Sequence, residues 1–202
     1  MKHIYLLILW MAFTVTHVFA QGFEGGLLGG LNASQVDGDT HSGYHKPGIA
    51  AGAYVLTNFS RTVFSGMEIK FSQKGSRKNP NFKTGDQEKY LIRLNYIDLP
   101  VYLGVRTSER TSILGGVSAG YLISSSVRDN HGPITEQPVF NEFDVQGMIG
   151  FRFQLTNRLS VDLRGAYSLL PVRENPGEAE IYWLDSQFNN MLSTTVLYRL
   201  DF

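Results

Sequence analysis

The sequence predicts an all-β fold, an eight-stranded antiparallel up-and-down transmembrane β-barrel, on three observations. Apolar and polar residues alternate with a period of two along most of the chain, and helical periodicity is hard to find. The links between alternating segments run long, short, long, short, long, short, long, the rim asymmetry of a membrane barrel. The chain also opens on an export leader and closes on an alternating strand with an aromatic last residue.

The leader comprises residues 1–20. Met1-Lys2-His3 is a short basic start, Ile4 to Phe13 is apolar, and Val18-Phe19-Ala20 places small residues where a signal peptidase inspects them. Thr14, Thr16 and His17 interrupt the apolar run, which at about 17 residues is at the lower bound for a spanning helix. Cleavage after Ala20 is therefore expected, leaving residues 21–202 as the barrel domain.

Strand one runs from Phe23 to about Ser34. Phe23, Leu27 and Leu31 share one face and Glu24 and Asn32 the other, because successive strand side chains point to opposite sides. Strand two covers about Lys46 to Leu56, with faces Ile49-Ala51-Ala53-Val55 and Ala50-Gly52-Tyr54-Leu56 that the pattern does not rank. A Thr57–Ser60 turn leads to strand three, Arg61 to about Gln73, where Val63, Ser65, Met67, Ile69 and Phe71 oppose Phe64, Gly66, Glu68, Lys70 and Ser72. Lys74 to Glu88, containing Gly75, Pro80 and Gly85, is a loop. Strand four, Tyr90 to about Val105, slips phase. A β-bulge near Tyr96 to Asp98 would put Arg93, Asn95 and Asp98 on one polar side, and Pro100 suits such a break.

The Arg106–Arg110 link leads to strand five, about Thr111 to Val127, with Ile113, Val117, Tyr121 and Ile123 opposing Gly116, Ser118, Gly120 and Ser124. A polar segment, Arg128 to about Asn141, precedes strand six. There Phe143, Val145, Ile149, Phe151, Phe153 and Leu155 alternate with Asp144, Gln146, Gly150, Arg152 and Gln154. Thr156-Asn157-Arg158 turns into strand seven, whose Leu159, Val161, Leu163, Tyr167 and Leu169 alternate with Ser160, Asp162, Arg164 and Ser168. A loop from Pro171 to about Phe188 leads to the closing strand, Leu192–Phe202, expected to pair with the Phe23 strand. Strands of about 12 residues, tilted by about 40°, span about 30 Å and cover the ~25 Å apolar band of a membrane barrel.

Period alone does not say which face looks outward, because a soluble lipocalin-like barrel alternates with its apolar face inside. The polar face here mixes small residues with charges of both signs: Glu24, Glu68, Lys70, Arg93, Asp98, Asp144, Arg152, Asp162, Arg164, Arg199 and Asp201. Self-compensating ion pairs suit the narrow lumen of eight strands, which side chains nearly fill. Phe71 and Phe143 at loop ends and Tyr102 and Phe202 at turn ends are candidates for interfacial girdles.

Composition removes several function classes. The absence of cysteine excludes an N-terminal lipid anchor, disulfides, thiolate catalysis and Cys-ligated zinc. There are 18 basic and 18 acidic residues, so loss of Lys2 with the leader leaves the chain within one charge of neutrality, with no electrostatic footprint for nucleic acid. Beyond the leader no segment is long and apolar enough for a membrane helix, so membrane insertion requires a closed barrel.

Gly25-Gly26-Leu27-Leu28-Gly29-Gly30-Leu31-Asn32, Leu94-Asn95-Tyr96-Ile97-Asp98-Leu99-Pro100-Val101-Tyr102, Ser118-Ala119-Gly120-Tyr121-Leu122 and the closing strand together resemble the PorT family of outer-membrane β-barrel domains of Gram-negative bacteria. The acid-Leu-Pro segment is the distinctive part. The resemblance implies a multi-pass barrel in the cell outer membrane, both termini periplasmic, in contact with outer-membrane lipid and lipopolysaccharide. It also implies a closing strand read by the barrel-assembly machinery through its terminal Phe. Some members are implied in secretion and gliding machinery, so envelope protein partners are a further expectation.

Little chemistry is legible. His41, His45 and His131 fall in long loops, and His41-Ser42 with Asp37 or Asp39 nearby is the raw material of a lipid-modifying hydrolase. Such chemistry needs a nucleophile bonded to a base that a third group orients; solvated loop residues are the simpler reading. Asp37, Asp39 and His41 lack the twelve-residue EF-hand pattern. The paired glycines form no phosphate loop and suit curvature or close packing of lumen side chains. Lys74, Arg77, Lys78 and Lys83 make the second long loop basic, open to solvent or to anionic surface lipid. The expectation is a non-enzymatic barrel with a filled polar lumen and a structural or interaction role in the envelope. No catalytic, cofactor-binding or metal residues are assigned, and no cofactor. The alternatives are a lipid-modifying barrel enzyme using loop His and Ser, and a soluble periplasmic lipocalin-like carrier.

Overall fold

The computed structural model describes residues 22–38, 43–80, 85, 88–134, 139–174 and 186–201. The leader, His41, Ser42, Asp39, Lys83 and Phe202 lie outside the described residues. Eight long strands follow one another: β1 Phe23–Asp37, β2 Lys46–Asn58, β3 Val63–Lys74, β4 Tyr90–Arg106, β5 Thr111–Asp129, β6 Phe143–Gln154, β7 Leu159–Ser168 and β8 Ser186–Leu200. Each pairs antiparallel with its chain neighbours. β8 returns to β1 from Gly25↔Leu200 to Asp37↔Phe188, so the sheet closes and leaves no long edge. Two-residue ladders, Arg77–Lys78 on β4, Gly132–Pro133 on β5 and Arg173–Glu174 on β8, extend the wall at the long-loop rim.

The opposite rim carries three tight turns of one design. A hydroxyl accepts hydrogen bonds from the N–H groups two and three residues on: Ser60 from Thr62 and Val63, Ser108 from Arg110 and Thr111, Thr156 from Arg158 and Leu159. This local side-chain acceptor replaces the ladder where the chain reverses. The first turn sits two residues later than the sequence suggested, because β2 continues to Asn58 and β3 begins at Val63.

The apolar face looks outward. Leu27, Leu31, Ile49, Met67, Ile69, Val101, Leu103, Val117, Ile149, Phe151, Leu163 and Leu192 are exposed, while Glu68, Asp98, Asp144 and Asp162 are buried. Water would not tolerate so continuous an apolar belt, whereas lipid requires it; the soluble-carrier alternative is overturned here. The unranked faces of β2 resolve the same way, with Ile49 and Val55 outside and Ala50 and Tyr54 inside.

Three expectations are corrected. β4 keeps one phase throughout: Ile92, Leu94, Tyr96, Asp98 and Pro100 all point inward, and Arg93 and Asn95 outward. The register shift lies on the partner strand, where Asn95 faces Ser124 and Tyr96 faces Leu122, leaving Ile123 as the extra residue of a bulge in β5. Ser124 accordingly shares the outer face with Asn95, whose Nδ2 donates to its hydroxyl at 2.8 Å. The cause is depth. Above the apolar band the wall is surrounded by water and headgroups, so polarity inverts: Arg93 and Asn95 face out, and Val36, Ile92, Leu94, Tyr96, Val127, Phe140 and Val172 form an apolar cluster inside. Second, Tyr102 is no girdle residue; it is buried in the lumen. Outward aromatics near the rims include Phe71, Phe143, Tyr121 and Tyr167 toward the loops and Phe23, Phe153 and Tyr198 toward the turns. Tyr121 and Phe143 pack at 5.5 Å between centroids. Third, Lys74 belongs to β3 rather than to a loop, and is fully buried.

Candidate functional site: the charged lumen

Inward positions alternate large and small across the strands. Phe64 faces Gly104 and Tyr102 faces Gly66 in register. A Cβ on Gly104 would stand 2.1 Å from the Phe64 ring, and one on Gly66 would stand 2.3 Å from the Tyr102 ring. Arg164 lies across Gly150 and Asp98 across Gly120 in the same way. The small residues seen in the sequence are thus the floor on which the large lumen side chains lie.

Two ion clusters occupy the middle. Nearer the turns, Arg152 grips Asp162 with Nε at 2.7 Å and Nη2 at 2.8 Å, and Nη2 also donates to the Tyr102 hydroxyl at 2.9 Å. Arg164 donates to both oxygens of Glu68, at 2.9 and 2.5 Å, and through Nε to Asp162 at 3.1 Å. Lys70 stands 3.5 Å from Glu68. Both guanidiniums lie against aromatic rings, Arg164 over Tyr102 at 4.7 Å and Arg152 over Phe64 at 5.6 Å. Nearer the loops, the Lys74 ammonium donates to Asp98 at 3.0 Å, Asp144 at 3.1 Å and Gln146 at 3.1 Å, beneath the Tyr96 ring at 4.6 Å. Asp144 also accepts from Ser168 at 2.7 Å and Asn189 at 2.9 Å.

Four cations, Lys70, Lys74, Arg152 and Arg164, therefore meet four anions, Glu68, Asp98, Asp144 and Asp162, all buried. The gap between the clusters, beside Lys70, Met148 and Met191, is about 10 Å³, no more than one water occupies. Each of these eight charges has an opposite charge beside it, so the two clusters tie strands together and narrow the lumen.

The predicted lumen charges divide by depth. Glu68, Lys70, Asp98, Asp144, Arg152, Asp162 and Arg164 come together as expected. Glu24 and Arg199 pair at 3.2 Å near the turn rim, Asp201 pairs with Arg158 on the rim itself, and Arg93 stands outside the wall. Lys74, Tyr96 and Tyr102 were missed. Their signal was present: continuing the Glu68-Lys70-Ser72 parity by one step places Lys74 inside. Of the loop histidines, His45 is exposed, and His131 is exposed beside Asp129 at 3.7 Å. Among the described residues no group of three or more His, Asp or Glu side chains has metal-binding geometry.

A family profile described as "Outer membrane protein beta-barrel domain" matches residues 19–173. Among solved structures, Ail, the attachment invasion locus protein of Yersinia pestis, in complex with the heparin analogue sucrose octasulfate, is 14% identical, covering 88% of this chain and 99% of that one, with a TM-score of 0.54. Neisserial surface protein A is 10% identical, covering 89% and 99%, with a TM-score of 0.55. At these identities the likeness is one of fold. No curated protein matches the chain in sequence.

Proposed function

This chain belongs to the outer membrane protein beta-barrel domain family, and we propose that it acts as a non-enzymatic envelope component through its outer surface and loops. The observation that carries this reading is the lumen itself. Eight mutually compensated buried charges, an apolar cluster above them and a gap of only about 10 Å³ between the clusters support a filled lumen rather than a pore.

In this reading residues 1–20 are the cleaved leader, residues 21–202 the barrel, and both termini lie in the periplasm. Assembly uses the closing strand and Phe202, and kinship lies with the PorT branch, which leaves room for a secretion-linked protein partner. Just above the apolar band, Arg77 and Arg128 flank Leu91 in register on neighbouring strands, and Arg93 stands two residues away, all exposed. This collar of guanidiniums lies at the headgroup level, where it would hold phosphate or sulfate groups on sugars, lipopolysaccharide first. The heparin analogue bound by Ail is chemistry of the same kind.

The test is conductance. Refolded protein in planar bilayers should show little or no stable ion current, and a large steady conductance would overturn the plugged-lumen reading.

A further inference from the structure

At the turn rim the lumen is not filled. A cavity of about 80 Å³ opens beside the second and third turns, lined in part by Tyr54, Leu56, Phe64 and Leu197. Five arginines line it: Arg106, Arg110, Arg152, Arg158 and Arg199. Three are neutralised, Arg152 by Asp162 at 2.7 Å, Arg199 by Glu24 at 3.2 Å and Arg158 by Asp201.

Among the described residues Arg106 has no carboxylate partner. It donates to neutral acceptors, Asn58 Oδ1 at 2.5 Å and the Arg61 carbonyl at 3.2 Å, and stacks on the Phe64 ring at 4.9 Å. Asn58 in turn donates to Glu24 at 3.0 Å, so the guanidinium is held in place. The Arg110 side chain, on the adjacent turn, makes no hydrogen bond or ion pair among the described residues. Glu109 of that turn is likewise unpaired among the described residues, so these groups and their partners set five arginines against Glu24, Glu109, Asp162 and Asp201. The rim thus carries one more positive than negative group, whereas the two central clusters match four cations with four anions.

The geometry points to a binding site in this mouth for a single carboxylate on a short apolar stem, its head on Arg106 and Arg110 and its stem on Phe64, Leu56 and Leu197. A fixed guanidinium fork matches a planar carboxylate. The cavity holds a few waters' volume and is well below the ~300 Å³ of ordinary ligand pockets, so it admits one head group and a few carbons.

Full-length mature protein refolded in detergent micelles, with assigned backbone amides, provides the test. Each variant is first checked for a retained unboiled gel shift. Butyrate should move the Phe64, Arg106, Arg110 and Ser112 amides saturably. Acetate should bind more weakly, by up to about fifteenfold for two fewer buried methylenes, and butylammonium should move none of them. Arg106→Gln and Arg110→Gln should each weaken butyrate by about tenfold. Arg110, exposed and unpartnered, can be replaced without disturbing the wall. The proposal is overturned by no saturable shift with butyrate, by an equal response to butylammonium, by acetate binding as tightly as butyrate, or by unchanged affinity in Arg110→Gln.

Discussion

Asp162 is where the lumen is most sensitive to a single residue. It accepts from both Arg152 and Arg164, so its removal leaves two guanidiniums under-compensated inside the barrel. Breaking a buried pair from one side costs about 3–5 kcal/mol, whereas a buried charge with no partner carries an uncompensated desolvation cost that an apolar replacement removes. Lys46 supplies that second case. It is 2% exposed, and its Nζ has no hydrogen-bond partner among the described residues. Urea titration of the folded, fast-migrating gel band should therefore move in opposite directions: Asp162→Ala to a much lower midpoint, Lys46→Met to an equal or higher one. A fall for both would mean that Lys46 is compensated after all. The charged types at these positions were legible in the sequence. Their partners were not, because Arg164 and Glu68 meet across the barrel from strands far apart in the chain.

At the level of elements, the strands came through the sequence well and their ends less so. Alternation identified all eight, since a closed sheet in lipid forces every strand to keep one apolar face. The bulge was sensed from a change of pattern near Tyr96 but assigned to the wrong strand. The sequence of β4 records only that polarity inverts there, and a change of depth and a change of phase leave the same trace. Lys74 went to a loop for a related reason, as charge and a following glycine outweighed parity. The glycine floors are a property of strand pairs, and they make a prediction. Gly104→Ala should destabilise the barrel by about 1–3 kcal/mol, because its methyl meets the Phe64 ring. Phe64→Leu should relieve part of that loss in the double variant. Simple additivity of the two changes would mean that ring and glycine are energetically independent.

For the whole molecule, the described chain begins and ends at the turn rim, and the long loops share the other. With no native cysteine, single cysteines can report sidedness. In intact cells a membrane-impermeant thiol reagent should label His131→Cys and should reach Arg61→Cys only after the envelope is opened; the reverse pattern would invert the proposed orientation. The sequence by itself determined that this is a barrel of eight strands with compensating charges on its polar face, because periodicity, composition and link length are local properties of the chain. Only the tertiary structure decided that the apolar face looks outward, that polarity inverts above the band, which charges pair, and that the turn rim keeps a cavity with surplus positive charge. Those depend on closure, which sets the depth of each residue and brings side chains from opposite walls within bonding distance.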